Sequence, residues 1–107
     1  MDKYTYRITY SKDDNEYIGF CAEFPSLSWL DKSQNKAFNG IQKLVKDVLI
    51  DMEQTGETPP QPLATKQYSG KFMVRIPPTV HRDLVIQANE NNISLNRLVS
   101  LRLIKNN

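Results

Sequence analysis

The chain has 107 residues, 39% hydrophobic and 24% charged, enough for one ordinary domain or two very small ones and a balance typical of soluble globular proteins rather than disordered ones. No apolar run approaches the roughly 18–20 residues of a membrane span, and the opening Met1-Asp2-Lys3-Tyr4 has no signal-like apolar stretch. The single cysteine, Cys21, cannot form an internal disulfide, so a cytoplasmic protein is expected.

Charge is unevenly spread. Residues 1–62 carry seven Lys/Arg against ten Asp/Glu, a net of −3, whereas residues 63–107 carry seven against two, a net of +5. That asymmetry suggests that only the C-terminal part faces a polyanion.

Tyr4 to Tyr10 alternates, with Tyr4, Tyr6, Ile8 and Tyr10 on one face and Thr5, Arg7 and Thr9 on the other, the period of a half-buried strand. A polar turn, Ser11 to Asn15, leads into a second alternating run, Tyr17 to Phe24. There Ile18, Phe20, Ala22 and Phe24 are in phase and are expected to point to the core. The two runs read as an antiparallel hairpin. Pro25 ends the second strand because it cannot donate to a ladder, and Ser26 to Leu30 reads as a short third strand. Ser33 can cap a helix running to about Gln54 or Thr55. Ala37, Ile41, Leu44, Val45, Val48, Leu49 and Met52 fall on one face of it, and Gly56 supplies its stop. The helix should cover the apolar face of the three-stranded meander, since neither buries its surface alone.

Gly56-Glu57-Thr58-Pro59-Pro60-Gln61-Pro62 is proline-dense and reads as an extended connector running loosely to Ser69. Beyond it, Lys71 to Ile76 alternates again, with Phe72, Val74 and Ile76 on one face and Lys71, Met73 and Arg75 on the other. Pro77-Pro78 stops that strand, and Pro78 suits the first position of a helix. Val80, Leu84, Val85 and Ala88 form the helix's stripe, and Asn91 or Asn92 can take its left-handed exit. Ser94 caps a second helix whose inner face carries Leu95, Leu98, Val99 and Arg102 or Leu103. The expected class is therefore α+β: a β-β-β-α domain over residues 1–55, a Pro-rich linker over 56–69, and a β-α-α module over 70–107.

One six-residue strand with two short helices is not a stable monomer. The simplest partner for the strand is its copy in a second chain. Two such strands make an antiparallel ribbon, an element that fits the DNA major groove, with Lys71, Met73 and Arg75 presented twice on its open face.

The stretch Gly70-Lys71-Phe72-Met73-Val74-Arg75-Ile76-Pro77, with Ser94-Leu95-Asn96 opening the second helix, resembles the ribbon-helix-helix family of the Arc and MetJ repressors. The resemblance implies that Lys71, Met73 and Arg75 read base edges. It also implies that the backbone N–H groups of Ser94, Leu95 and Asn96 clamp a phosphate, as helix N-termini do, with Asn96 and Arg97 as further phosphate contacts. The whole chain resembles the HicB antitoxins. The features that carry this are the Tyr4-Thr5-Tyr6-Arg7-Ile8 strand, Phe24-Pro25-Ser26-Leu27, and the helix leading into Gly56-Glu57-Thr58-Pro59-Pro60-Gln61-Pro62. That resemblance implies a partial RNase H-like N-terminal domain that binds and masks a HicA-like toxin, a small basic RNA-cleaving protein, together with repression of its own operon. The acidic balance of residues 1–62 agrees with a basic partner.

Catalysis is not expected. A nuclease of the RNase H kind needs several carboxylates converging on divalent metal ions, whereas Asp13, Asp14 and Glu16 fall in a turn and Glu23 ends a strand. Cys21 and His81 have no evident base or orienting acid, and Tyr4, Tyr6, Phe20 and Trp29 read as core rather than as base-stacking platforms. The reading is an antitoxin and repressor without cofactor or metal. Its partners are double-stranded operator DNA, a HicA-like toxin and a second copy joined through the C-terminal strand, giving a dimer or a tetramer. The alternative is a stand-alone ribbon-helix-helix regulator whose first domain binds no toxin.

Overall fold

The computed structural model describes residues 2–105 and divides into two compact units, one ending at Ser69 and the other beginning at Gly70. The first unit contains β1 (Tyr6–Ser11), β2 (Glu16–Cys21), β3 (Ser28–Asp31) and α1 (Gln34–Thr55), and the second contains α2 (Pro78–Glu90) and α3 (Leu95–Lys105). The class is α+β.

In the first unit the strands form an antiparallel sheet in the order β1-β2-β3. Asn15, with φ of 53°, closes the hairpin in a left-handed conformation that asparagine tolerates. β2 pairs with β1 from Tyr6–Cys21 to Ser11–Glu16 and with β3 from Tyr17–Asp31 to Phe20–Ser28. β2 stops at Cys21, and the chain then turns through a Phe24 N–H to Cys21 O bond of 3.1 Å.

Helix α1 begins where Ser33 accepts a hydrogen bond from the Lys36 N–H. It ends at Gly56 with φ of 76°, where the Gly56 and Glu57 N–H groups bond back to Glu53 and Met52. Its buried face is Ala37, Ile41 and Val45, at the four-residue spacing of one helical stripe. Ile41, Val45 and Cys21 form the centre of the core. Tyr4, Tyr6, Ile8, Phe24, Leu27, Leu44 and Leu49 pack around them.

The phase of β2 is the reverse of the one expected from its apolar residues. Partners across a ladder share a face, so Cys21 lies with Tyr6, Gly19 with Ile8, and Tyr17 with Tyr10. Gly19 and Cys21 are buried under α1, while Ile18 and Phe20 lie on the outer face with Arg7, Thr9 and Leu30. The Arg7 guanidinium sits 4.9 Å from the centre of the Phe20 ring there. Both faces of β2 are apolar enough to be buried, so hydropathy alone cannot phase it. What decides is volume. A Cβ on Gly19 would stand 2.8 Å from the Ala37 carbonyl oxygen and from Ile41 Cγ2, so only glycine lets the helix approach this closely. Gly40 on α1 plays the matching part for Trp29, whose indole occupies the space a side chain would need.

The segment after Gly56 is not free of the first unit. The Tyr4 hydroxyl donates to the Pro60 carbonyl at 2.7 Å, and the Leu63 N–H donates to the Glu23 carboxylate at 2.8 Å. The Tyr68 hydroxyl donates to the Leu63 carbonyl at 3.0 Å.

In the second unit α2 starts with Pro78 at its first position and leaves through Asn92, whose φ is 56°. Ala88 of α2 and Leu98 of α3 are its buried residues, and Leu84, Leu95 and Val99 are half-buried. The strand expected over Lys71–Ile76 is not formed within the single chain, where these residues have no regular secondary structure. A strand exists through its ladder, and the unit offers this segment no second strand to pair with.

Candidate nucleic-acid interface

The second unit opens at Gly70, whose φ of 81° lies in the region that favours glycine. From there Lys71 to Ile76 runs exposed, and its apolar members are the most conspicuous: Phe72 is 76%, Val74 61% and Ile76 40% accessible. Of the expected base readers, Met73 is 85% accessible, and Lys71 and Arg75 are exposed too. Lys71 borders a shallow cleft with Phe72, Val74, Asn96, Val99 and Leu103. The structure thus brings Lys71 and Asn96 to one cleft, and Met73 and Arg75 do not line it.

Helix α3 is capped at its start by Ser94. The Ser94 hydroxyl accepts from the Arg97 N–H at 3.0 Å, and the Ser94 carbonyl accepts from the Leu98 N–H at 3.0 Å. The N–H groups of Leu95 and Asn96, in the first turn, have no intrahelical acceptor. They point along the positive end of the helix dipole, beside the exposed side chains of Asn96 and Arg97. Arg102, one helical face away, is held by Gln87 of α2.

Four carboxylates of the first unit, Asp2, Asp14, Glu23 and Asp31, accept hydrogen bonds that hold local structure. Glu23 accepts from the Thr5 N–H at 2.9 Å, the Thr5 hydroxyl at 3.2 Å, the Leu63 N–H at 2.8 Å and the Cys21 thiol at 3.5 Å. Partial burial pushes its carboxyl upward, and the N–H donors outweigh that and hold it below the usual carboxylate range. Asp2 accepts from the Tyr6 hydroxyl, Asp14 from Ser11, and Asp31 from the Ser33 N–H. Burial, followed by the Asp2 hydrogen bond, raises Tyr6, and burial also raises Tyr4 and the Cys21 thiol. Among the described residues no group of three or more His, Cys, Asp or Glu side chains is placed to hold a metal ion, and no helix is long and apolar enough to cross a membrane.

Glu23 is the structural residue that sequence reasoning passed over. It reads as a strand-end surface charge, yet it joins Thr5, eighteen residues before it, to Leu63, forty residues after it. Its partners are backbone groups, which carry no residue-type signal.

The model of the HicB family matches residues 54–103. Over that stretch the chain is similar to the HicB family. HicB proteins are the antitoxins of toxin–antitoxin systems and are generally not enzymes. At that level the HicB match suggests an antitoxin role, with a toxin of some kind as partner. The matched stretch takes in the end of α1, the connector and nearly all of the second unit. No curated protein and no solved structure matches the chain.

Proposed function

We propose that this HicB-type protein is an antitoxin that represses its own operon and neutralises a HicA-like, RNA-cleaving toxin. Two copies pair through residues 71–76 into an antiparallel ribbon that enters the major groove of operator DNA. Lys71, Met73 and Arg75 meet base edges, where Arg75 can bond guanine in bidentate fashion and Met73 can contact a thymine methyl. The N–H groups of Ser94, Leu95 and Asn96, with the side chains of Asn96 and Arg97, hold the flanking phosphates. The first unit, with its acidic balance, takes the toxin.

The observation that carries the ribbon is the exposure of Phe72, Val74 and Ile76 in a segment that has no ladder of its own. These residues sit in one small unit with Leu101, Leu103 and Ile104 of α3, which are also exposed. So much apolar surface in a unit of under forty residues calls for a cover. A second copy supplies both a strand for the ladder and helices for the apolar face.

The test is a gel-shift titration of the full chain against the DNA upstream of its own gene, comparing wild type with Lys71→Ala/Arg75→Ala. Tight binding that the variant loses while its helical circular dichroism is unchanged is the expected result. Weak, sequence-blind and strongly salt-dependent binding by wild type would reduce the segment to a general polyanion patch. Pull-down of the co-expressed neighbouring toxin tests the first unit, and this interaction should survive the double substitution.

A further inference from the structure

We infer that the free edge of β1 is a second, isologous docking surface for another copy of this chain, separate from the ribbon. The Ala22 N–H to Thr5 O bond of 2.9 Å makes Thr5–Ala22 a hydrogen-bonded pair of the antiparallel ladder. Such pairs alternate, so Arg7, Thr9 and Ser11 also turn their backbone groups toward β2. The N–H and C=O groups of Tyr6, Ile8 and Tyr10 therefore point the other way, out of the sheet's edge. No described segment pairs with that edge.

Strands left at an edge are normally blunted by proline, a bulge, several lysines or extreme shortness. β3, four residues long, is blunted by length. β1 is not blunted at all: Tyr-Arg-Ile-Thr-Tyr-Ser is six residues of mostly β-favouring type, with an unbroken register.

The edge is self-complementary about Ile8. Tyr6, Ile8 and Tyr10 all take part only in an antiparallel pairing that sets Ile8 opposite Ile8 and Tyr6 opposite Tyr10 of the second copy. On the helix side, the Tyr10 ring at one end of the edge is 51% exposed. At the other end Phe38, 40% exposed, stands edge-on to Tyr6 with ring centres 5.9 Å apart. The same two-fold axis carries each exposed Tyr10 to the Tyr6–Phe38 pair of the other copy, an edge-to-face aromatic cluster formed twice. On the outer face Arg7 falls opposite Thr9, so no like charges meet. The result is a continuous six-stranded sheet, with an α1 helix from each copy on the same face.

The charge pattern sets the test. Thr9 is exposed on the outer face, so its substitution leaves the fold of one copy intact. Thr9→Arg places an arginine opposite Arg7 twice per dimer, and Thr9→Glu places a carboxylate there instead. To separate this edge from the ribbon, both changes are made in the full chain carrying Phe72→Asp/Val74→Asp, which removes the ribbon's exposed apolar contacts. Sedimentation over a concentration series at low salt should show the Phe72→Asp/Val74→Asp chain still dimerising. Thr9→Arg should weaken its dimer and Thr9→Glu strengthen it, the two differing by about tenfold or more in dissociation constant. In the same chain the Ile8 amide should resist hydrogen exchange when concentrated and lose that protection on dilution. A Phe72→Asp/Val74→Asp chain that is monomeric throughout, or an Ile8 amide that exchanges freely at every concentration, overturns the proposal; so does a dimer indifferent to both Thr9 changes. Failure of the ribbon reading gives a different result: Phe72→Asp/Val74→Asp then leaves the mass and DNA binding of the wild type unchanged.

Discussion

Replacing Gly19 by alanine gives opposite signs under the two possible phases of β2. If the larger apolar residues Ile18 and Phe20 faced the helix, Gly19 would lie on the open face. Alanine there would stabilise the protein by about 0.5–1 kcal/mol, because glycine gives up more chain entropy on folding. In the observed phase the new methyl meets the Ala37 carbonyl and Ile41 Cγ2 at 2.8 Å, and Ile41 Cβ at 3.0 Å. Ile41 is fully buried, and the carbonyl belongs to helix backbone, so neither can swing aside. Forcing the helix off the sheet costs roughly 1–3 kcal/mol, as overpacking does. Set against the gain of about 0.5–1 kcal/mol in chain entropy, the expectation is a net loss on the order of 1–2 kcal/mol. Urea unfolding followed by tryptophan fluorescence reads it out. Trp29 is the sole tryptophan and packs on Gly40 in the same unit, so it reports this core alone. Unchanged or higher stability of Gly19→Ala would refute both the phase and the role of close approach.

Three further substitutions probe the rest of the structure. Glu23→Gln removes the carboxylate that ties Thr5 and Leu63 to the first unit. Because the folded state holds this carboxyl below its ordinary value of 4.5, its stabilising contribution is full above that pH and disappears as pH falls through the folded value. The stability gap between wild type and Glu23→Gln should therefore narrow steadily below pH 4.5, and a gap independent of pH would contradict the assignment. Ser94→Ala deletes the cap of α3 and should cost about 1 kcal/mol of thermal stability in the second unit, read by helical circular dichroism. Arg75→Ala should cost roughly 1–3 kcal/mol of operator binding per contacted base pair while toxin capture is unchanged. Equal loss of both functions would mean that the two units do not divide the work as proposed.

Local chemistry makes the helices of this protein legible in its amino-acid sequence. Ser33, Gly56, Pro78, Asn92 and Ser94 act within one turn of themselves, through caps and special backbone angles, and each helix begins or ends where these residues stand. The stripe Ala37-Ile41-Val45 is readable for the same reason, since a helix repeats on a scale shorter than the motif that reveals it. Lys71–Ile76 alternates in sequence, yet all six residues are exposed and form no strand in the single chain, because a strand needs a partner that one chain does not contain.

What only the tertiary structure decided involves groups distant in sequence. The phase of β2 depends on the clearance between Gly19 and a helix some twenty residues later, which no hydropathy pattern encodes. Glu23 acquires its role from the Thr5 and Leu63 amides, and almost any residue type could have supplied those. The open edge of β1 becomes visible only once the ladder shows which way its amides turn. Side-chain pattern specifies elements because its physics is local. Register, close approach and unused hydrogen-bonding edges are properties of pairs of elements, and they exist only when those elements have met.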